Sequence, residues 1–158
     1  EHGPECQFVV PWRVYRFENL DATHDVAFWQ IEWVSIGKNI TLAHFKFTLK
    51  ALLSEIFETD LSIRLRPWYF PFTEPSYEVD IDCRHDPKLF ALSKNRGRLE
   101  VLWCGMIHPN VLRGADVDPS IYSGFAFGFG LTRMVAIKYG INDIRLLTNG
   151  DMRFAQSW

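Results

Sequence analysis

β-branched and aromatic residues crowd residues 7–18 (QFVVPWRVYRFE) and 28–36 (FWQIEWVSI), and the polar stretch NLDATHDVA lies between them. That pattern predicts two strands joined as a long hairpin. After Gly37 the period changes from two to three and four. Thr41 can cap a helix whose apolar stripe is Leu42, Phe45, Leu49, Leu52, Leu53 and Ile56. Alternation returns in LSIRLRP (61–67) and SYEVDID (76–82), with the proline-bracketed PWYFPFTEP between them. Pro87 to Arg98 is polar and predicts the least ordered part of the chain. RLEVLWCGMI (98–107) predicts a further strand. FGFGLTRMVAIKYG predicts a strand that turns at Gly128 and Gly130 into a helix ending at Gly140. Strands that follow one another in hairpins, with few helices, predict an α+β fold on a mainly antiparallel sheet.

One part of this pattern asks for an explanation. Side chains alternate across a strand, so Arg16 and Glu18 share a face, as do Gln30 and Glu32. If the hairpin pairs, all four can lie on one side of the sheet. From the residues alone two readings stand. The row is a solvated face with cross-strand ion pairs, or it is the polar floor of a site. Phe70 and Phe72 in YFPFTEP read, on pattern alone, as core aromatics. The glycines of GFGLTR read equally well as a device for close packing of helix and strand, because they match no dinucleotide or P-loop fingerprint.

The totals narrow the class. At 158 residues the chain is long enough for one domain with a real core, and 47% of its residues are hydrophobic, which predicts a globular chain. A net charge of -2 exerts no global pull on nucleic acid or membrane. The three cysteines, Cys6, Cys83 and Cys104, have no paired spacing, which points to a reducing, cytoplasmic setting. No apolar run approaches the length of a bilayer span, so no membrane partner is expected. Cys83-Arg84-His85 supplies too few ligands for zinc, and no structural metal is expected.

Four stretches, RVYRFENLDATHDVAFWQIE, RLRPWYFPFTEPSYEVDI, CGMIHPNVLRGADVDPSIYSGFAFGFGLTR and KYGINDIRLL, together resemble the catalytic core of the alpha subunits of bacterial phenylalanyl-tRNA synthetases. These are class II aminoacyl-tRNA synthetases, with an antiparallel sheet flanked by helices. The resemblance covers nearly the whole chain, in the family's order. It implies activation of phenylalanine with ATP and Mg2+, transfer to tRNA, and assembly with a beta subunit or a second copy. It also implies one catalytic-core domain over 1–158, with motif 2 at about 8–37 and motif 3 at about 121–140. The family's motif 1 and N-terminal coiled coil are expected to be missing.

The resemblance implies roles residue by residue. Arg16 and Arg133 match the motif 2 and motif 3 arginines that act in catalysis and grip ATP. A forked, permanently charged donor suits phosphate better than lysine does. Glu18, His24, Phe28, Gly128 and Gly130 match positions facing ATP, with Glu18 and His24 also near the acceptor end of tRNA. Gln30 and Glu32 match the pair that binds the substrate ammonium. Phe70 and Phe72 match aromatics that clasp the substrate ring edge-to-face. Glu74 matches a polar contact at the rim, Ala126 a small wall of the ring pocket, and Gly128 borders the substrate as well.

The chain departs from the family pattern at Trp12, Trp33 and Trp103, which stand where the family carries glycine. Phe47 also replaces a glycine, Trp29 a histidine and Thr132 an acid. An indole beside the substrate floor could overpack it. Strand parity predicts that Trp33 turns away from Glu32 and leaves the pocket open. A blocked, synthetase-like paralogue acting as a binding or structural component is the alternative expectation. Adenylation of another substrate is the third.

Overall fold

A computed structural model describes residues 3–17, 19–22, 24–93 and 96–156. The predicted hairpin is present. Strand β1 (Cys6–Tyr15) pairs antiparallel with β2 (Ala27–Lys38), and the register sets Val10 opposite Glu32 and Trp12 opposite Gln30. Helix α1 (Leu42–Phe57) follows. The Thr41 side chain accepts the His44 backbone N–H while the His44 ring accepts the Thr41 N–H, so a reciprocal capping box starts the helix where the sequence places it. Phe45, Leu49 and Leu53 are fully buried along its stripe, whereas Leu42 is exposed in the first turn.

Strands β3 (Ile63–Phe70) and β4 (Thr73–Asp82) form a second hairpin turned by Pro71 and Phe72. Pro87 to Arg98, expected to be the least ordered part, contains a short helix, α2 (Pro87–Leu92). Asp86 accepts the Leu89 N–H and begins this helix, an Asx cap that a polarity count does not reveal. After it come β5 (Arg98–Ile107), α3 (Pro109–Gly114), β6 (Tyr122–Gly130), α4 (Leu131–Tyr139), a 3-10 turn (Ile144–Leu147) and α5 (Met152–Ala155). The expected turn at Gly128 is not there. Gly128 is an ordinary residue of β6, and the chain changes from strand to helix only at Gly130. Gly140 then ends α4 in the left-handed conformation at φ 68°, where glycine carries no Cβ penalty.

The six strands make one antiparallel sheet in the order β1-β2-β6-β5-β4-β3. The last strand in sequence therefore sits near the middle, between β2 and β5. Alternation along β6 separates two environments. Phe125, Phe127 and Phe129 enter the main core with Phe45, Leu49 and Leu53 of α1, Val79, Ile81 and Leu102 of the sheet, and Met134 and Ile137 of α4. Ala126, Gly128 and Gly130 face the other side. Burying each large apolar side chain stabilises the fold by about 1.5–3 kcal/mol relative to exposure, so this single layer of helices over one sheet face holds the strands in register. The opposite face carries Gln30 and Glu32. Among the described residues no helix is long and apolar enough to cross a membrane.

Candidate functional site

On the face away from the core, the polar row of the hairpin is a connected chain. An Arg16 guanidinium N–H donates to Gln30 Oε1 at 3.3 Å, and Gln30 Nε2 donates to Glu32 Oε1. The amide thus has a defined polarity: its oxygen meets the cation and its NH2 meets the carboxylate. Gln30 is only 4% exposed, so both of its contacts are made away from bulk water. Burial raises the Glu32 carboxyl above its ordinary value, opposed by the Gln30 hydrogen bond and the charge of Arg16. A carboxylate held in such a setting gains from accepting a cation. Arg16 itself lies just past β1, held by its N–H to the Val26 carbonyl at 2.9 Å, with its guanidinium carbon 5.1 Å from the centre of the Phe28 ring.

Gly128 is opposite Glu32 in the β2–β6 register. A Cβ at that position would collide with the Glu32 carboxylate, so the missing side chain gives the acid its place over the sheet. Gly128→Ala is therefore expected to push the Glu32 carboxylate off its present position and disconnect it from Gln30. Loss of the Gln30–Glu32 hydrogen bond in a crystal structure of the variant is the expected result; an unmoved carboxylate would contradict it.

Two cavities open on this face. One, of about 210 Å³, is lined by Arg16, His24, Phe28, Gln30, Gly130 and Arg133, with Glu100 and Trp103 at its border. The other, of about 220 Å³, is lined by Glu32, Phe72, Thr73, Trp103 and Ala126. The first gathers the residues that the sequence associates with ATP, apart from Glu18, which lies outside the described residues, and Gly128. Its two arginines suit an anion. His24 is exposed and contacts both Asp21 carboxylate oxygens at 3.0 Å, and Arg133 donates to the Glu100 carbonyl at 3.2 Å. The second cavity is mostly apolar, with one acid at its edge. Among the described residues no group of three or more His, Cys, Asp or Glu side chains could hold a metal ion.

Phe70 and Phe72 come together at the tip of the second hairpin. Phe70 ends β3 and Phe72 is the second residue of the turn into β4, and their rings stack at 5.8 Å and 13°. Glu74 stands apart from the other residues expected around the substrate. It does not border the Glu32 cavity but stands in the neighbouring groove with its carboxylate 3.4 Å from His108 Nε2. The β4 strand turns it there immediately after Thr73, which does line the cavity.

The three tryptophans divide. Trp33 turns away from Glu32, as parity predicts, and stacks on Phe127 at 5.4 Å between ring centres. Its Nε1–H is buried without a hydrogen-bond partner among the described residues. Trp12, opposite Gln30, and Trp103, opposite Gly128, are on the same face as the polar row, since directly opposed residues share a side.

A second polar group on this face was not singled out from sequence. Arg64 donates to the buried Asp80 carboxylate at 3.0 and 2.5 Å, and Arg66 spans Glu78, Asp80 and Glu100. Burial works to raise the Asp80 carboxyl, but the hydrogen bonds from both arginines hold it below its ordinary value. The signal was present in the matched alternation of IRLR and YEVD, which puts opposite charges at facing positions of a hairpin.

Comparison with known proteins agrees with this architecture. The whole chain, residues 1–158, matches the family model described as tRNA synthetases class II core domain (F). It is 44% identical over 156 residues to the phenylalanine–tRNA ligase alpha subunit of Leptospira biflexa, covering 98% of this chain and 46% of that protein. It is 49% identical over 152 residues to that of Clostridium novyi, covering 96% and 45%. The chain thus spans under half the length of these relatives. A crystal structure of pyrrolysyl-tRNA synthetase from Desulfitobacterium hafniense shares the fold, with a TM-score of 0.61 and 15% identity, covering 94% of this chain and 47% of that one.

Proposed function

Because the chain belongs to the family of class II tRNA synthetase core domains, we propose that it is the catalytic core of a phenylalanine–tRNA ligase alpha subunit. It activates phenylalanine with ATP as the acyl adenylate and passes the aminoacyl group to tRNA, in a cytoplasmic assembly with a beta subunit. The observation that carries the reading is the Arg16–Gln30–Glu32 chain. It offers an anion site and a cation site in one line along the sheet, which is what a substrate bearing both charges requires.

In this reading the substrate ammonium binds the Glu32 carboxylate, which the Gln30 amide holds in place, and the substrate carboxylate turns toward Arg16. A carboxylate oxygen attacks the α-phosphorus of ATP, the bond to the bridging oxygen breaks, and pyrophosphate leaves. Arg16 stabilises the charge that develops on the α-phosphate, and Arg133 holds the far phosphates. Preorganised donors aimed at developing charge act strongly because they need no reorganisation during the step. His24 and Phe28 flank the nucleotide and Gly130 lets it approach the sheet, while Glu18 has an expected part at the ATP and tRNA side. Phe70, Phe72 and Ala126 shape the side-chain pocket. Magnesium would ride on the ATP phosphates and offset their charge, held by the nucleotide rather than by a protein cage. Glu74, 3.4 Å from His108, has an expected part only as a polar contact outside the Glu32 cavity.

Phenylalanine-dependent exchange of labelled pyrophosphate into ATP tests the proposal. Exchange with phenylalanine and not with other amino acids is expected, and its absence together with a lack of ATP binding would turn the reading toward a non-catalytic paralogue. Glu32→Gln refines the assignment. A hydrogen bond to a charged group is worth roughly 1.5–3 kcal/mol, so phenylalanine should bind about tenfold more weakly or worse, with ATP affinity little changed. The pH dependence has a defined sign. Only the ionised acid holds the ammonium, and burial raises its pKa, so phenylalanine affinity in the wild type is expected to fall as the pH drops toward the raised value, before ordinary carboxylates titrate. Glu32→Gln should lose that pH response. Calorimetric titration reads both effects.

A further inference from the structure

The aromatic cluster beside Glu32 contains a third ring, Trp103, in contact with both Phe70 and Phe72. Across the sheet, Glu32 is on β2, Trp103 on β5, and Phe70 and Phe72 at the β3–β4 turn, so the strand order puts Trp103 between the acid and the aromatic pair. Glu32 and Trp103 are both opposite Gly128, from its two neighbouring strands. Gly128 presents no side chain, so the space above it is left to these two residues. The half-buried Trp103 indole meets Phe70 at 5.6 Å and 47° and Phe72 at 6.3 Å and 59°. Those are tilted contacts of the kind aromatic rings prefer, and the kind that a ligand ring would make with the same pair. Trp103 also lines both cavities. Its indole is the partition between the side that holds Arg16 and the side that holds Ala126.

We propose that the Trp103 indole sits in the aromatic seat itself, as a built-in occupant that an incoming ring must displace, and that this residue sets the affinity of the site for aromatic side chains. The identity of the ligand rests on the phenylalanine reading above, but the occupied seat does not. Trp33, which faces the core, has no part in it. In the wild type, phenylalanine must then displace the indole to bind, which raises its KM while leaving kcat and the ATP affinity nearly unchanged.

The test compares wild type with Trp103→Gly and Trp103→Leu, the second keeping apolar volume on β5 in case glycine loosens the strand. Cooperative melting by circular dichroism establishes that each variant is folded. Free indole and phenylalanine are titrated separately by calorimetry. Removing this large half-buried ring leaves an apolar gap that small aromatics can fill, so both variants are expected to bind indole about tenfold or more tighter than wild type. Phenylalanine should gain by a similar factor. In wild type labelled with 15N-tryptophan, with the Trp103 signal assigned by its loss in a variant, any phenylalanine that binds should shift that signal. Indole binding without phenylalanine binding would leave the occupied seat standing and remove phenylalanine as the ligand. Phenylalanine bound equally tightly by wild type and variants, or bound by wild type with the Trp103 signal unmoved, would overturn the occupied seat and leave the phenylalanine reading intact. Weaker binding of both rings to the variants would also overturn it, since Trp103 would then be a wall of the pocket.

Discussion

Arg16→Ala is expected to lower phenylalanine-dependent pyrophosphate exchange by about 10²–10³-fold, with the loss mainly in kcat. The arginine has two attachments. Its backbone is tied to Val26 at the mouth of the hairpin, and its guanidinium donates to Gln30. Alanine removes the donor from the developing phosphate charge and also leaves Gln30 Oε1 without its cation. Arg16→Lys should recover only a small part of the rate, because a point charge does not reproduce a forked donor. Measurement of exchange over a range of phenylalanine and ATP concentrations separates kcat from KM. A variant that keeps kcat and loses only ATP affinity would show that Arg16 binds the ground state and transition state alike.

Phe127→Ala is expected to destabilise the fold by about 3–5 kcal/mol, the usual range for deleting a buried phenyl ring. Phe127 is 1% exposed, stacks on Trp33 at 5.4 Å and approaches Phe125 at 6.4 Å. It lies in β6, an interior strand with a neighbour on each side, so the cavity left behind cannot collapse by moving an edge. The effect bears on function as well, because Ala126 and Gly128 on either side of Phe127 face the site. Urea unfolding measures the loss, and a change below about 1 kcal/mol would be typical of a surface substitution instead. The two substitutions are on opposite faces and touch no common partner, so their effects on stability should add.

Periodicity alone was sufficient for the hairpin over 7–36, for α1 with its Thr41 cap, for β5, and for the end of α4 at Gly140, because each depends on neighbours in sequence. It was also sufficient for the shared face of Arg16, Gln30 and Glu32 and for the inward turn of Trp33, since parity along a strand is a local property. The residues could not say whether that polar row was a solvated surface or a floor. Resemblance to a family turned that choice into an expectation, and the match over residues 1–158 shows the family itself.

What stayed out of reach depends on which strands become neighbours. That β6 enters between β2 and β5 is decided by long-range pairing, and nothing in the local pattern of SGFAFGFG specifies a partner. Only that pairing places Gly128 under Glu32 and opposite Trp103, and only the turn at Pro71 and Phe72 brings Phe70 and Phe72 against the same indole. Glu74 faces His108 for the same reason, since its surroundings come from a distant loop. Spacing along one segment was enough for the long strands, for α1 and α4, and for which side chains share a strand face, because these follow from backbone geometry. The tertiary structure alone decided which side chains share a cavity and which tryptophan stands in it, because register between strands far apart in sequence is set by the packing of the whole core.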